Sequence, residues 1–201
     1  MAVWLDIAGS FLISVMLLFT VMRTNADIAE SANMAVLDLM VQRSAGSMAT
    51  ILGEDLRKAG IGAPAGDPGI VHADDEFVVF WADRDSTAAP DTLIGYYVGN
   101  ELGPNSEGPF LYRDILNAAP TNPHDPSDWN DPAVVGAGLI HFQFLYINAA
   151  GDTLATPLSS ADLAVAREIR AEYRVVSEVI ADTTYARSLS SIQVAPMNLR
   201  F

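Results

Sequence analysis

The side chains best suited to chemistry in this sequence do not form a recognisable catalytic constellation. The three histidines, His72, His124 and His141, are far apart in the chain, and none lies in a metal-binding motif. The acidic run at residues 74–76 could act as paired carboxylates, but it is most simply the solvated start of a strand. Nucleophile-elbow, zinc-protease, Walker and dinucleotide-binding motifs do not occur. The sequence therefore predicts no enzyme.

A second candidate for chemistry is an acidic loop at residues 117–138. This loop is rich in Pro, Asp and Asn, and four of its residues could offer the hard oxygen ligands that calcium prefers: Asp125, Asp128, Asn130 and Asp131. Their spacing is not that of an EF-hand, which needs Gly at its sixth position and Glu at its twelfth. Asp and Asn also form turns by bonding their own backbone, so turn formation is our main expectation and calcium the alternative.

The composition excludes several classes of function. Cysteine is absent, which rules out disulfides, thiol nucleophiles and cysteine-based zinc sites. The chain has 25 acidic and 11 basic residues and a formal net charge of −14, which argues against nucleic-acid binding. Residues 1–60 hold 6 acidic and 4 basic residues, whereas residues 61–201 hold 19 and 7. The acid excess therefore belongs to the second part of the chain.

Asp6 is the one ionisable residue in the apolar segment at residues 2–22. About 20 apolar residues match a hydrocarbon core of roughly 30 Å. No basic residue precedes the segment and no convincing cleavage site follows it, so we expect a retained transmembrane helix rather than a signal peptide. A carboxylate there costs a few kcal/mol unless it is paired, which suggests a functional role. Alternatively, the Asp6 carboxylate interacts favourably with the helix dipole and reaches the membrane interface.

The helical pattern continues beyond the membrane segment, since the first proline is Pro64. Apolar residues recur three and four positions apart and predict one stripe: Met34, Leu37, Val41, Ala45, Met48, Leu52 and Leu56. Most of the charged residues fall off it: Arg43, Glu54, Asp55, Arg57 and Lys58. We expect one helix over residues 3–59, about 85 Å long and ending near Gly60. A globular domain should cover the stripe; a coiled coil is the alternative, although the run spans barely three heptads.

Beyond residue 70, short apolar runs and alternating patterns predict strands at residues 77–81, 93–98, 110–113, 140–146, 169–175 and 192–194. The first two should pair as a hairpin. Ile140, Phe142, Phe144 and Tyr146 should share one apolar face, and the 169–175 strand should present alternating charges to water. Five or six antiparallel strands packed on the amphipathic half of the helix predict an α+β fold. Residues 1–60 would form the helix and residues 61–201 the β domain.

Six segments of the sequence, taken in order, carry a family resemblance. They are the helix end DLRKAG (55–60), FVVFWADRD (77–85) with LIGYYV (93–98), FLYR (110–113), VVGAGLIHFQFLYINAAGD (134–152) and VAPMNL (194–199). Together with the helix and the β domain, they resemble the type IV pilin superfamily, and most closely its PilW-like minor pilins and the J-type pseudopilins of type II secretion.

The resemblance implies a pilin fold and a structural subunit of a pilus-like filament that assembles through its N-terminal helix. It implies single-pass insertion in the inner membrane with a periplasmic domain, followed by entry into an extracellular or periplasmic filament. Partners would be other pilin or pseudopilin subunits, the inner-membrane assembly platform and the bilayer, with no cofactor apart from the calcium alternative. Mature pilins usually carry Glu at their fifth position, where it is thought to pair with a neighbour's terminal ammonium. Asp6 takes that position if Ala2 is the first residue.

Two other functions stay open from the sequence. A type II secretion pseudopilin would share the helix, the β domain and Asp6, and would prime a short periplasmic filament. A membrane-anchored enzyme or sugar-binding module would use the β domain and its acidic loop instead.

Overall fold

The fold consists of one long helix followed by antiparallel β-sheets, as the α+β prediction required. The computed structural model describes residues 2–82, 92–99, 109–116, 118–121, 128–176 and 187–196. Helix α1 spans Ala2–Arg57, and a short helix, α2, spans Ser160–Val165. The strands are β1 (Ile70–Ala73), β2 (Phe77–Ala82), β3 (Thr92–Gly99), β4 (Phe110–Leu116), β5 (Ala133–Gly136), β6 (Leu139–Asn148), β7 (Thr153–Leu154), β8 (Ala166–Val176) and β9 (Arg187–Val194).

The strands form two sheets rather than one. The first sheet has the order β1-β2-β3-β4-β5 and the second has the order β7-β6-β8-β9, with every neighbouring pair antiparallel. The predicted hairpin is confirmed, because Phe77 pairs with Tyr97 and Ala82 with Thr92. The described residues thus contain nine strands where five or six were expected. The missed strands, β1, β5 and β7, have four residues or fewer, too few to show a period of two.

The predicted apolar face of β6 was wrong at one residue. Phe142, Phe144 and Tyr146 are buried, but Ile140 is 46% exposed. The register of β6 against β8 shifts between Leu139 and His141, so a bulge lies at this position. A bulge changes the side on which the following residues point, and Leu139 is buried in place of Ile140. The inward and outward faces of β8 follow the predicted alternation.

Helix α1 ends where its backbone meets β2. The last helical residue is Arg57, and the Gly60 N–H donates to the carbonyl oxygen of Trp81 at 2.7 Å. Gly60 has φ = 84°, a left-handed conformation that glycine adopts without the penalty a Cβ would bring. The chain thus leaves the helix through a glycine turn fixed to the sheet.

The core lies between the second half of α1 and the inner faces of both sheets. Six of the seven predicted stripe residues are buried and Met34 is half-buried: the buried ones are Leu37, Val41, Ala45, Met48, Leu52 and Leu56. They pack in one cluster with strand residues that include Phe80, Ile94, Leu111, Phe144 and Tyr173. The close fit extends to β5, where a Cβ on Gly136 would overlap the sulfur of Met48.

Truncation of the stripe should unfold the β domain. Leu52 is fully buried, so Leu52→Ala should lower the free energy of unfolding by about 3 kcal/mol through lost transfer energy and a cavity. Leu39 lies on the same helix but is 65% exposed, and the matched Leu39→Ala variant should change stability by less than about 0.5 kcal/mol. Urea unfolding of the full chain in detergent measures both. Equal losses in the two variants would contradict this account of the core.

Candidate functional site

The N-terminal half of α1 projects from the β domain with its apolar side chains uncovered. Trp4, Phe11 and Phe19 are 78%, 71% and 72% exposed. Among the described residues, one helix is long and apolar enough to cross a membrane, and it is α1. Its apolar part ends in a charged stretch that includes Arg23, and the side chains of residues 23–33 are all exposed.

A second apolar face begins on α1 within the charged stretch and continues toward the β domain. We define the outer face as Ile28, Val36, Leu39 and Met40, which are 50–65% exposed. Leu39 precedes buried Val41 by two residues, which places it about 200° around the helix, on the opposite side from the buried stripe. The β domain therefore covers one of two apolar faces, and the outer face is open to a partner.

The hydrocarbon core of a bilayer is too thin to cover the whole exposed apolar length of α1. From Val3 to Met40, the exposed apolar residues extend over about 55 Å at 1.5 Å per residue. A bilayer core of roughly 30 Å covers about half of that length. The uncovered remainder includes the outer face, which lies on the β-domain side of Arg23.

Asp6 lies in the exposed apolar part of α1. The described helix begins at Ala2 and has no acidic residue in its first turn, so Asp6 lies beyond that turn. Stabilisation by the helix dipole falls off within the first turn, which weakens the dipole explanation for an acid at this position. Ile7 beside it is 57% exposed, so the surroundings of the carboxylate are apolar side chains without a protein cover.

A buried polar clamp holds the other end of α1 to the first sheet. Asp55 is only 7% exposed, and its Oδ2 accepts hydrogen bonds from Tyr96 Oη at 2.6 Å and Arg113 Nε at 2.5 Å. Tyr96 lies on β3 and Arg113 on β4, directly opposite each other in the register. Asp55 is thus an exception to the expectation that these charged residues mostly fall off the stripe. It lies at the edge of the buried stripe, where two donors satisfy its charge.

The clamp changes the acid–base properties of both donors. Burial, the charge of Asp55 and the hydrogen bond to Asp55 together raise the pKa of Tyr96 far above its usual range. Burial acts to lower the pKa of Arg113, but the hydrogen bond and the charge of Asp55 outweigh it, and the pKa rises. Because Tyr96 stays neutral and Arg113 stays charged, both continue to donate to the carboxylate.

Two more buried tyrosines tie the layers together. Tyr173 on β8 donates its hydroxyl to the Ala45 carbonyl oxygen of α1 at 3.0 Å. Tyr146 on β6 donates to the Asp74 carbonyl oxygen at 3.0 Å. Burial raises the pKa of Tyr146 well above its ordinary value, so this donor also stays protonated. Each tyrosine joins a sheet to a different part of the chain.

The acidic run at residues 74–76 forms the turn between β1 and β2. The Asp75 carbonyl oxygen accepts from the Phe144 N–H of β6 at 2.8 Å and so connects the two sheets. The Glu76 carbonyl oxygen accepts from the Val98 N–H at 2.9 Å within the first sheet. The Asp74 carboxylate accepts from the Asp75 N–H at 2.8 Å. The backbone of this turn therefore has a structural role between the sheets.

The acidic loop is fixed to the first sheet at its C-terminal end. The carboxylate of Asp114 on β4 is buried and accepts backbone N–H groups from Asn130 at 2.5 Å and Asp131 at 3.3 Å. Trp129, the residue before Asn130, is 5% exposed and packs over Gly95, where a Cβ would come within 2.6 Å of its Cη2 atom. This arrangement accounts for the lack of a side chain at residue 95.

The structure describes only some of the predicted calcium ligands and histidines. Asp125 and His124 fall outside the described residues, and in the part of the chain that the structure describes no three acidic or histidine side chains form a group able to hold a metal. Calcium binding through Asp125, Asp128 and Asp131 stays a prediction. His141 is exposed on β6, whereas His72 on β1 is half-buried. Burial lowers the pKa of His72, against the opposing effect of a hydrogen bond to the Pro120 backbone.

Comparison of the chain with known proteins adds no relative. No protein-family model matches the sequence, and no curated protein matches it.

Removal of the charge at the clamp should destabilise the fold. Asp55→Asn keeps the shape but leaves the partly buried Arg113 guanidinium without its counter-charge, and should cost about 3 kcal/mol. The adjacent Glu54 is exposed, so Glu54→Gln is a matched control that should cost less than about 0.5 kcal/mol. Chemical unfolding of the full chain measures both. Equal stability of Asp55→Asn and the wild type would show that the clamp does not stabilise the fold.

Stability should also fall at high pH because of the buried tyrosines. The pKa of Tyr96 is raised in the folded state, so its contribution is complete below the unfolded-state value of about 10 and is lost as the pH rises above it. Between pH 10 and 11 one such tyrosine should cost about 1 kcal/mol. Tyr96→Phe should reduce this loss, as seen in urea midpoints. An identical pH profile for the variant and the wild type would contradict the prediction.

Proposed function

We propose that this protein is a structural subunit of a type IV pilus-like filament, in the manner of a minor pilin. The N-terminal half of α1 anchors the subunit in the inner membrane and later packs among the helices of neighbouring subunits. The β domain stays on the periplasmic side and then on the filament surface. The subunit acts mechanically, without a cofactor.

The observation that carries the proposal is the outer face of α1. A simple membrane anchor needs one apolar segment of about 20 residues. Here the exposed apolar surface continues to Met40, beyond the charged stretch and on the side opposite the β domain. Apolar surface of this kind on a helix is covered by other helices, through ridges and grooves of side chains. Packing among copies of α1 would bury the outer face and the membrane segment alike.

The distribution of charge also supports packing through the helix. Residues 1–60 carry 6 acidic and 4 basic residues, so bundled helices repel one another weakly. Residues 61–201 carry 19 and 7, which keeps the β domains soluble and discourages their collapse on one another. Contacts that repeat from head to tail without closing build an open helical filament.

The clamp supports the resemblance on which the family proposal rests. Its three residues come from three of the segments that carry the likeness: Asp55 from DLRKAG, Tyr96 from LIGYYV and Arg113 from FLYR. These segments thus contain partners in one buried interaction and are linked by more than their order along the chain. A secretion pseudopilin fits the same observations. Loss of surface filaments in a deletion strain would favour the pilus, and loss of protein secretion would favour the pseudopilus.

Asp6 has a direct role in this proposal. An unpaired carboxylate among apolar helices is costly, and a terminal ammonium of a neighbouring subunit would pair with it and fix the axial register. Asp6→Ala should reduce the number of filaments per cell at least tenfold in electron micrographs. Asp27→Ala, which removes a carboxylate from the charged stretch of the same helix, is the control and should leave the number unchanged. Normal filament numbers in Asp6→Ala would remove this residue from assembly.

The outer face gives a second, independent prediction. Leu39→Glu places a charge on this face without touching the buried core, so the unfolding midpoint should match that of the wild type. Filaments should be lost, because the charge would be buried between helices without a partner. Leu39→Met preserves the apolar surface and should assemble normally. Filaments of ordinary number and length from Leu39→Glu would exclude this face from subunit packing.

A further inference from the structure

A groove lies along the contact between α1 and β9. Small residues of the helix and one isoleucine of the strand line it, with one charged residue of each sign at the rim: Ala49, Thr50, Gly53, Glu54, Arg57 and Ile192. Its volume is about 280 Å³, whereas about 150 Å³ is enough to hold a benzene ring. The Thr50 hydroxyl donates to the Gly46 carbonyl oxygen at 2.9 Å, so it needs no partner in the groove. Because the two rim charges are opposite, the groove is suited to an uncharged apolar side chain.

The surface of α1 is open between this groove and the outer face. Apart from the backbone of its own turn, nothing lies within 4 Å of the position that a Cβ on Gly46 would take. Arg43 and Ser47 on the same stretch are exposed, and the long Arg43 side chain can extend away from an apolar contact. The groove and the outer face, which needs a partner, therefore belong to one continuous surface of the helix.

Leu39 and Met40 are the outer-face residues nearest to the groove, and they point in different directions. Thr50 follows Leu39 by eleven residues, which places the two about 20° apart around the helix axis. Thr50 follows Met40 by ten residues, which places these two about 80° apart around the axis and about 15 Å apart along it. Neighbours held through Leu39 and in the groove would therefore occupy the same space, whereas Met40 leaves room for both. Met40 is 59% exposed, and its unbranched side chain adapts to irregular cavities.

We propose that the groove receives Met40 of a second copy of this chain. This inference rests on the proposed function, in which insertion in one membrane keeps the helices of neighbouring subunits parallel. Parallel copies make this contact only when they are offset by about 15 Å along the axis, so the contact repeats from one subunit to the next without closing. Met40 and Thr50 both lie away from the buried stripe, so the β domains point outward from the gathered helices.

A pair of introduced cysteines tests this contact, because the chain contains none of its own. Filaments of the double variant Met40→Cys/Thr50→Cys should give a ladder of disulfide-linked oligomers on non-reducing gels after mild oxidation. Each single variant should stay monomeric, because equivalent residues of the offset copies lie about 15 Å apart along the axis. Filaments of the double variant without a ladder, dimers without higher oligomers, or dimers from either single variant would overturn this contact and leave the proposed function standing.

Filling the groove gives a second test that needs no crosslink. Thr50 is exposed, so Thr50→Trp should occupy the groove without unfolding the domain and reduce the number of filaments at least tenfold in electron micrographs. Thr50→Ser keeps the groove open and should assemble as the wild type does. An unfolding midpoint measured for each variant confirms that it is folded. Ordinary filaments from folded Thr50→Trp would exclude the groove alone, whereas a wild type without filaments would overturn both this contact and the proposed function.

Discussion

A helix of 56 residues cannot bury its apolar surface on a domain that covers only its C-terminal third. The rest of this structure depends on this difference between the length of the helix and the part of it that the β domain covers. The buried stripe from Leu37 to Leu56 fixes the β domain to one face of α1. The membrane segment and the outer face then stay exposed, on a single rigid rod. Lipid can cover the first of these two surfaces, and we propose that helices of neighbouring subunits cover the second.

The β domain is attached to α1 in a defined register. Apolar side chains alone permit sliding, because interchangeable methyl groups meet at many positions. The clamp has no such freedom, since the Asp55 carboxylate meets donors on two strands and any displacement leaves buried charges unpaired. Tyr173 adds a second fixed point at Ala45, about 15 Å along the helix. These polar contacts define where the domain is attached.

The helix and the longer strands could be predicted from the sequence because their signals are local. The buried stripe and the 77–82 and 92–99 hairpin follow from period and turn residues. The clamp could not be predicted from the sequence, since Asp55 and Arg113 are 58 residues apart. In addition, nothing local distinguishes Asp55 from the exposed Glu54 beside it. The division of the strands into two sheets could not be predicted for a related reason, because it depends on long-range pairing. Exposure of Ile140 depends on a bulge, which moves one residue without altering the pattern around it.

The central claim is that the outer face of α1 meets another copy of α1. The photo-crosslinking residue p-benzoylphenylalanine in place of Leu39 captures a neighbour at that face, whichever residue the neighbour presents there. Irradiation of cells that assemble filaments should convert this variant to covalently linked oligomers of the same chain. The same replacement at Asp152, an exposed position between β6 and β7, is the matched control and should stay monomeric. Monomeric protein from the Leu39 variant in irradiated cells with filaments would contradict helix-to-helix packing through this face.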